Sequence, residues 1–379
     1  MADADAAAEA AAVYERITAF FQLHRHEEVQ IELLPFYPIP DGHIYVDATA
    51  IGIPKSSLWK AFRHAHPLFF AALHAPSAEA SRTSTIATAS TILLLHDSEY
   101  LTAVNARKRI LLSLFPPSSL AQAAPTSLPP ITPLTELAFL TSLLTSPLHR
   151  HTKSPVLWSH RRWLLTTYPG LTTLPSRPSS ARAAAAKAAR KWARGEISTL
   201  FRAAEAHPRN YYAWTYARWL AGSRNVQFNQ EDLVSWCIKH PSDVSGWGWL
   251  WTAERRSLAP AVYTDRRRDV LVQRYNQLLV VLKYSHEISP GHESLWRFIR
   301  AVLMQGVLDG DDDDAAGRGG GYKARIVDML RGWDAREWPV RVAEDIWRER
   351  VCLRALVRDI DAMAAGYAVA DTEMSDQPP

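Results

Sequence analysis

Cysteine is almost missing from this chain: Cys237 and Cys352 are the only two in 379 residues, far apart and each set in an apolar helical pattern. That excludes a disulfide framework and a cysteine-rich zinc site, and it fits a reducing, cytosolic setting. Long hydrophobic runs are missing as well, so no membrane-spanning segment is expected. Residues Met1 to Ala12 are acidic and Ala-rich with no basic region, unlike a secretory signal. Charge of one sign does not dominate. The net charge of +4 is dispersed, so no basic stripe demands nucleic acid. Helical RNA readers also need variable polar residues at fixed repeat positions, and here those positions are apolar or Trp. There is no Gly-rich phosphate cradle and no His-Glu-x-x-His pattern. The pairs His24/His26, His64/His66 and His149/His151 show no metal-ligand spacing. Asp311 to Asp314 lacks the alternating oxygen ligands and closing Glu of a calcium loop.

Tryptophan, by contrast, is plentiful, and most of the fourteen fall within a repeated stretch. The clearest copy is His207-Pro208-Arg209-Asn210-Tyr211-Tyr212-Ala213-Trp214. Pro208 stops a preceding helix, and Asn210 can accept an orphan N–H at the start of the next. Tyr211, Trp214 and Arg218 follow at helical spacing. Pro241 and Trp247, and Pro290 and Trp296, repeat the six-residue separation of Pro208 and Trp214. Lys153-Ser154-Pro155 leads more directly into Trp158, His160, Arg161 and Arg162. Asp97 to Arg109 reads as a first copy with Val104 in the Trp column. Internal repetition of this kind specifies an all-α stack of helical hairpins, each anchored on its neighbour by an indole. Arg161 and Arg218, beside buried Trp, are expected to pair with a carbonyl or carboxylate of the adjacent repeat.

Taken in order, residues 1–12 read as a disordered N-terminus and 13–80 as an irregular cap. Within the cap, Val29 to Leu33 suits a strand. Helical repeats are expected over 85–365, interrupted by polar or Pro-rich insertions at 116–133, 169–180 and 309–321. Residues 366–379 read as a disordered tail. Ala181 to Ala206 should be one long helix whose Arg and Lys residues line a solvated face.

The motif Pro-x-Asn-Tyr-x-x-Trp with a following Arg, carried best by Trp158 to Trp163 and Arg209 to Trp214, resembles the α-subunit repeat of protein prenyltransferases. The resemblance covers about residues 85 to 305. The insertions and the Lys153-Ser154-Pro155 opening look closer to the divergent branch of repeat-containing proteins than to the farnesyltransferase α subunit. It implies an α–α superhelix, a right-handed crescent of hairpins wrapped around a separate β subunit. In that family the partner holds zinc and the isoprenoid diphosphate, so no cofactor is expected in this chain. The implied function is that of an α-like subunit of a heterodimeric protein prenyltransferase, with geranylgeranyl transfer to a C-terminal cysteine of an acceptor protein. The implied partners are a type II geranylgeranyltransferase-like β subunit and the acceptor. The alternative is a non-catalytic repeat scaffold for protein–protein interaction.

The family places a Lys near the diphosphate five residues before a repeat Trp, and Lys153 occupies that column. A fixed cation there could neutralise charge building on the leaving diphosphate. In the next copy the same strip holds Arg209, Asn210, Tyr211 and Tyr212, which the resemblance assigns to polar contacts near diphosphate and peptide. Two positions depart from the pattern: Pro155 stands where Tyr is usual, and Tyr212 where some members have His.

Overall fold

The computed structural model describes residues 2–35, 44–75, 80–117, 129–172, 181–261, 267–288, 291–304, 308, 321–335 and 344–364. Among these, helices dominate and one small sheet interrupts them. The chain divides into two compact units, residues 1–226 and 227–379. That boundary was not anticipated from the sequence.

The first unit opens with α1 (Ala2–Leu23). Residues 2–12, the described part of the expected disordered N-terminus, form the first turns of this helix. Ala is the best helix former, and Glu9 ties the segment down through a 2.6 Å ion pair with Lys60. Three strands follow, β1 (Gln30–Leu34), β2 (Tyr45–Asp47) and β3 (Ala50–Pro54), in the order β1-β3-β2. β1 runs parallel to β3 with Ile31 opposite Ile51, while β2 is antiparallel to β3. Ile31, Ile51 and Ile53 face the core. At Gly52 a Cβ would stand 3.1 Å from the tip of the Leu34 side chain, a tight approach.

α2 (Lys55–His74), α3 (Ala80–His96) and α4 (Leu101–Leu114) then carry the cap into the first repeat. The second repeat comprises α5 (Pro133–Leu144), the single turn α6 (His149–Thr152) and α7 (Pro155–Thr167). Thr132 begins α5 in a capping box with Thr135. The third comprises α8 (Ala181–Ala206) and α9 (Tyr211–Ser223).

The second unit holds α10 (Gln230–Lys239), α11 (Val244–Ala261), α12 (Arg267–Glu287), α13 (Glu293–Met304), α14 (Tyr322–Asp334) and α15 (Glu344–Ala364). In the first unit, α8 is the one long helix expected over Ala181 to Ala206. Of the expected insertions, Pro169–Thr172 is a 3-10 turn. Residues 118–128, 173–180, 309–320 and 365–379, with Ser289 and Pro290, lie outside the described residues. Among the described residues no helix is long and apolar enough to cross a membrane.

The repeat columns have a physical cause. Trp158, Trp214, Trp247 and Trp296 are all buried, none more than 3 % exposed. The indole of Trp158 donates to the Thr152 carbonyl at 2.8 Å, and that of Trp247 donates to the Pro241 carbonyl at 3.0 Å. Each acceptor lies six residues before its Trp, the separation that Pro241 and Trp247 keep in the sequence. Four residues before Trp158, Trp214 and Trp247 stands a buried cap. Ser154 accepts from Leu157 N–H, Asn210 from Ala213 N–H, and Asp243 from Ser245 and Gly246 N–H. Stacking also repeats. Trp158 packs on Tyr216 at 5.0 Å and Trp247 on Phe298 at 5.2 Å. In both cases the second ring lies two residues beyond the Trp of the next copy.

Candidate functional site

Between consecutive repeats of the first unit lie two buried ion pairs. Arg107 on α4 holds Glu136 on α5 through Nη2–Oε2 at 2.6 Å and Nε–Oε1 at 2.9 Å. Arg161 on α7 holds Glu196 on α8 through Nε–Oε2 at 3.0 Å and Nη2–Oε1 at 2.8 Å. All four side chains are buried. The remaining donors are satisfied as well: Arg107 Nη1 reaches the Ala87 carbonyl and Ser90 Oγ, and Arg161 Nη1 reaches Thr141 Oγ1.

Burial alone would raise the Glu136 carboxyl, but Arg107 outweighs it and holds the group below its ordinary range. Burial likewise opposes the Arg161 charge, and Glu196 with Tyr216 more than offsets this. Tyr216 donates to Glu196 at 2.6 Å. Its phenol is raised far above the usual range, by burial first and by Glu196 next. In the second unit the polarity of the pair is exchanged, with Glu254 on α11 and Arg274 on α12, 3.3 Å apart.

Arg161 thus pairs across repeats as expected. Arg218 does not: it is half-buried, and no hydrogen bond or ion pair joins it among the described residues. Three residues past Trp214 stands Ala217, and the one-residue shift to Arg218 turns its side chain about 100° around α9.

The predicted site residues separate into two groups. Asn210 is fully buried and its amide is used at both ends. Oδ1 accepts from Ala213 N–H at 3.2 Å, and Nδ2 donates to the carbonyls of Thr152 at 2.9 Å and Ala203 at 3.4 Å. It is a structural cap, not a group open to a ligand. The others lie at the surface of the turns that open α7 and α9. Lys153 ends α6, half-buried. Arg209 is exposed and takes φ 58°, a left-handed conformation, in the turn that aims Asn210 inward. Tyr211 is 61 % exposed and Tyr212 39 %. Their rings meet edge-on at 5.5 Å, and Tyr211 is an open surface aromatic.

Two further residues, missed in the sequence, join this edge. The rings of His149 and His207 stand 4.9 Å apart at 80°. His207 donates from Nε2 to the Pro147 carbonyl at 3.1 Å. Its basicity is lowered by burial and by the charges of His149 and Lys153, which places Lys153 in the same electrostatic neighbourhood. His149 and His207, 58 positions apart, left no local signal. Among the described residues no group of three His, Cys, Asp or Glu side chains could hold a metal ion. A cavity of about 390 Å³ beside β1, lined in part by Glu28, Glu32, Thr145 and Arg202, collects none of the predicted residues.

Comparison with known proteins bears on this geometry. Protein prenyltransferase alpha subunit repeat-containing protein 1 of Danio rerio is 26 % identical, over 41 % of this chain and 44 % of its own length. The protein of that name from Homo sapiens is 28 % identical, over 41 % of this chain and 36 % of its own. The chain is similar to the prenyltransferase α-subunit repeat proteins. It spans less than half the length of the curated relatives it matches. Residues 181–279 match the family model described as the ECM9 middle domain, which here covers α8 to α11 and part of α12.

Proposed function

We propose that the chain is the α-like half of a heterodimeric protein prenyltransferase, completed by a β subunit that carries zinc and the isoprenoid pocket. The observation that carries this reading is the open edge formed by the α6–α7 and α8–α9 turns. Lys153, Arg209, Tyr211 and Tyr212 stand there at the surface, and the Lys153 side chain has no ion pair or hydrogen bond among the described residues. Zinc in the partner would hold the acceptor's cysteine sulfur as a thiolate, the nucleophile for displacing diphosphate from a geranylgeranyl chain. The task of this chain is electrostatic. As the carbon–oxygen bond to diphosphate lengthens, negative charge builds on the leaving oxygens, and Lys153 Nζ with the Arg209 guanidinium offsets it. Tyr211 and Tyr212 present phenols that can donate to the same oxygens or line the acceptor peptide. Asn210 acts behind them by fixing the turn.

Co-expression with a type II geranylgeranyltransferase β subunit tests the reading. A stable complex that transfers a geranylgeranyl group, with turnover reduced about tenfold to a hundredfold in Lys153→Ala, is the expected outcome. Failure to copurify would refute it. A complex that forms without transferring lipid, and is indifferent to Lys153→Ala, would point instead to an interaction scaffold. That second reading is favoured by one observation: Pro155 fills the first position of α7, where it serves helix geometry and offers no hydroxyl.

A further inference from the structure

His149 and His151, adjacent on one short turn, have opposite surroundings. His151 is buried, with Nε2 2.8 Å from the Leu94 carbonyl, and serves the packing of α3. His149 is exposed, and neither it nor Lys153 has a side-chain hydrogen bond or ion pair among the described residues. His207 faces His149 from the next repeat. A carbonyl oxygen only accepts, so the contact with Pro147 assigns the His207 proton to Nε2 and leaves Nδ1 bare in the neutral ring. The side chains that act on His207 are His149 and Lys153, and both oppose a positive charge on it. Of the other charged groups nearby in the chain, Arg202 is tied to Glu28 at 2.9 Å, and Glu205 and Arg209 are exposed. The groups that act on His207 thus include two nitrogen side chains and no carboxylate. A charge on His207 is opposed there until an anion offsets it.

We propose that Lys153, His149 and His207 form one binding site for a phosphate or diphosphate group, taken up together with a solvent proton that goes to His207 Nδ1. The free protein keeps His207 neutral, because burial and its cationic neighbours both oppose a charge there. An arriving dianion reverses the sign of the local field and makes Nδ1–H a charge-assisted donor to one of its oxygens. The proposal deepens the prenyltransferase reading, on which it rests only for the carrier: an isoprenoid diphosphate and free inorganic diphosphate present the same chemistry.

The test uses the full chain with ¹⁵N-labelled histidine, titrated near neutral pH with inorganic diphosphate. Saturable binding is expected, with the His207 Nδ1 resonance moving from the bare to the protonated position. His149→Gln and His207→Gln are each expected to weaken binding about tenfold, and Lys153→Gln by at least as much. His74→Gln, an exposed histidine on α2, should change nothing. A His207 Nδ1 that stays bare at saturation, or unchanged affinity in the His149→Gln/His207→Gln variant, overturns the proposal. Because these histidines lie at the surface, thermal melts of the variants should match the parent. A variant that melts early is replaced by ring-preserving 4-fluorohistidine labelling, where a lowered pH for proton uptake on binding is the expected result and no shift is the refutation. A second arm repeats the titration with geranylgeranyl diphosphate in the presence of the β subunit. If inorganic diphosphate protonates His207 but no β subunit associates, the transferase reading fails and the anion site stands. If the complex transfers lipid and the histidine variants leave diphosphate affinity unchanged, the reverse holds.

Discussion

Asn210 and Arg209 are neighbours with opposite duties, and single substitutions separate them. Asn210→Ala removes the cap of α9 and leaves the buried Thr152 and Ala203 carbonyls short of a donor. It should cost about 2–3 kcal/mol in a urea titration. Arg209→Gly relieves the left-handed backbone at that position and should leave stability unchanged within about 1 kcal/mol, while removing the charge. Any loss of diphosphate affinity or transfer in Arg209→Gly therefore reports on the cation alone.

His160 supplies a pH test. Burial pushes it down from 6.5 to about 4, and Nε2 lies 3.4 Å from Glu136 Oε1 without hydrogen-bond geometry. The unfolded chain binds a proton below its ordinary value that the fold refuses until about pH 4. This contribution is complete above that ordinary value and is lost as pH falls through the window. Stability should drop by about 2 kcal/mol from this group between about pH 7.5 and about pH 5, and His160→Asn should flatten the dependence. Glu136, held below its usual range by Arg107, adds further loss at lower pH. Of these residues the sequence announced Asn210, because a polar cap ahead of an apolar period is a local signal. It gave no notice of His149 meeting His207, because that contact depends on the stacking of two repeats.

At the level of helices, the periodic rows were legible and their cross-links only half so. Trp158, Trp214, Trp247 and Trp296 announced the stack through spacing, and Arg161 announced a need for a partner. Its partner Glu196 was hidden in the Ala-rich α8, whose charges read as a solvated face. The short strands β2 and β3 were equally obscure, since parallel pairing of β1 with β3 joins segments twenty residues apart in sequence. The Arg–Glu links carry a clear expectation. Glu196→Ala should destabilise the protein by about 3–5 kcal/mol, because it strands the buried Arg161 charge. Replacing both, as Arg161→Met with Glu196→Leu, should recover most of that loss in the same thermal melt. Equal destabilisation of the single and double variants would show that the lost Tyr216 hydrogen bond to Glu196 matters more than the stranded charge.

For the molecule as a whole, the division after Val226 is the main feature that pattern reading did not supply. The cap and three repeats close their own buried pairs, Arg107–Glu136 and Arg161–Glu196, inside residues 1–226. Residues 227–379 close Arg274–Glu254 and His286–Glu349 among themselves. Expressed alone, residues 1–226 should therefore show a cooperative thermal transition by circular dichroism; a featureless melt would mean that the second unit is needed to hold the first. The proposed anion edge lies wholly within that first unit, so the fragment should also retain diphosphate binding if it folds.

The carbonyl of Thr152 takes two donors at once, the Trp158 indole from its own repeat and the Asn210 amide from the next. One oxygen thereby acts as a ruler for the chain on both sides of it. A single residue added between Thr152 and Trp158 would spoil both readings, whereas added length outside that interval leaves them intact. Protein engineers seeking a place for a tag or fluorophore should accordingly avoid the few residues ahead of each repeat indole.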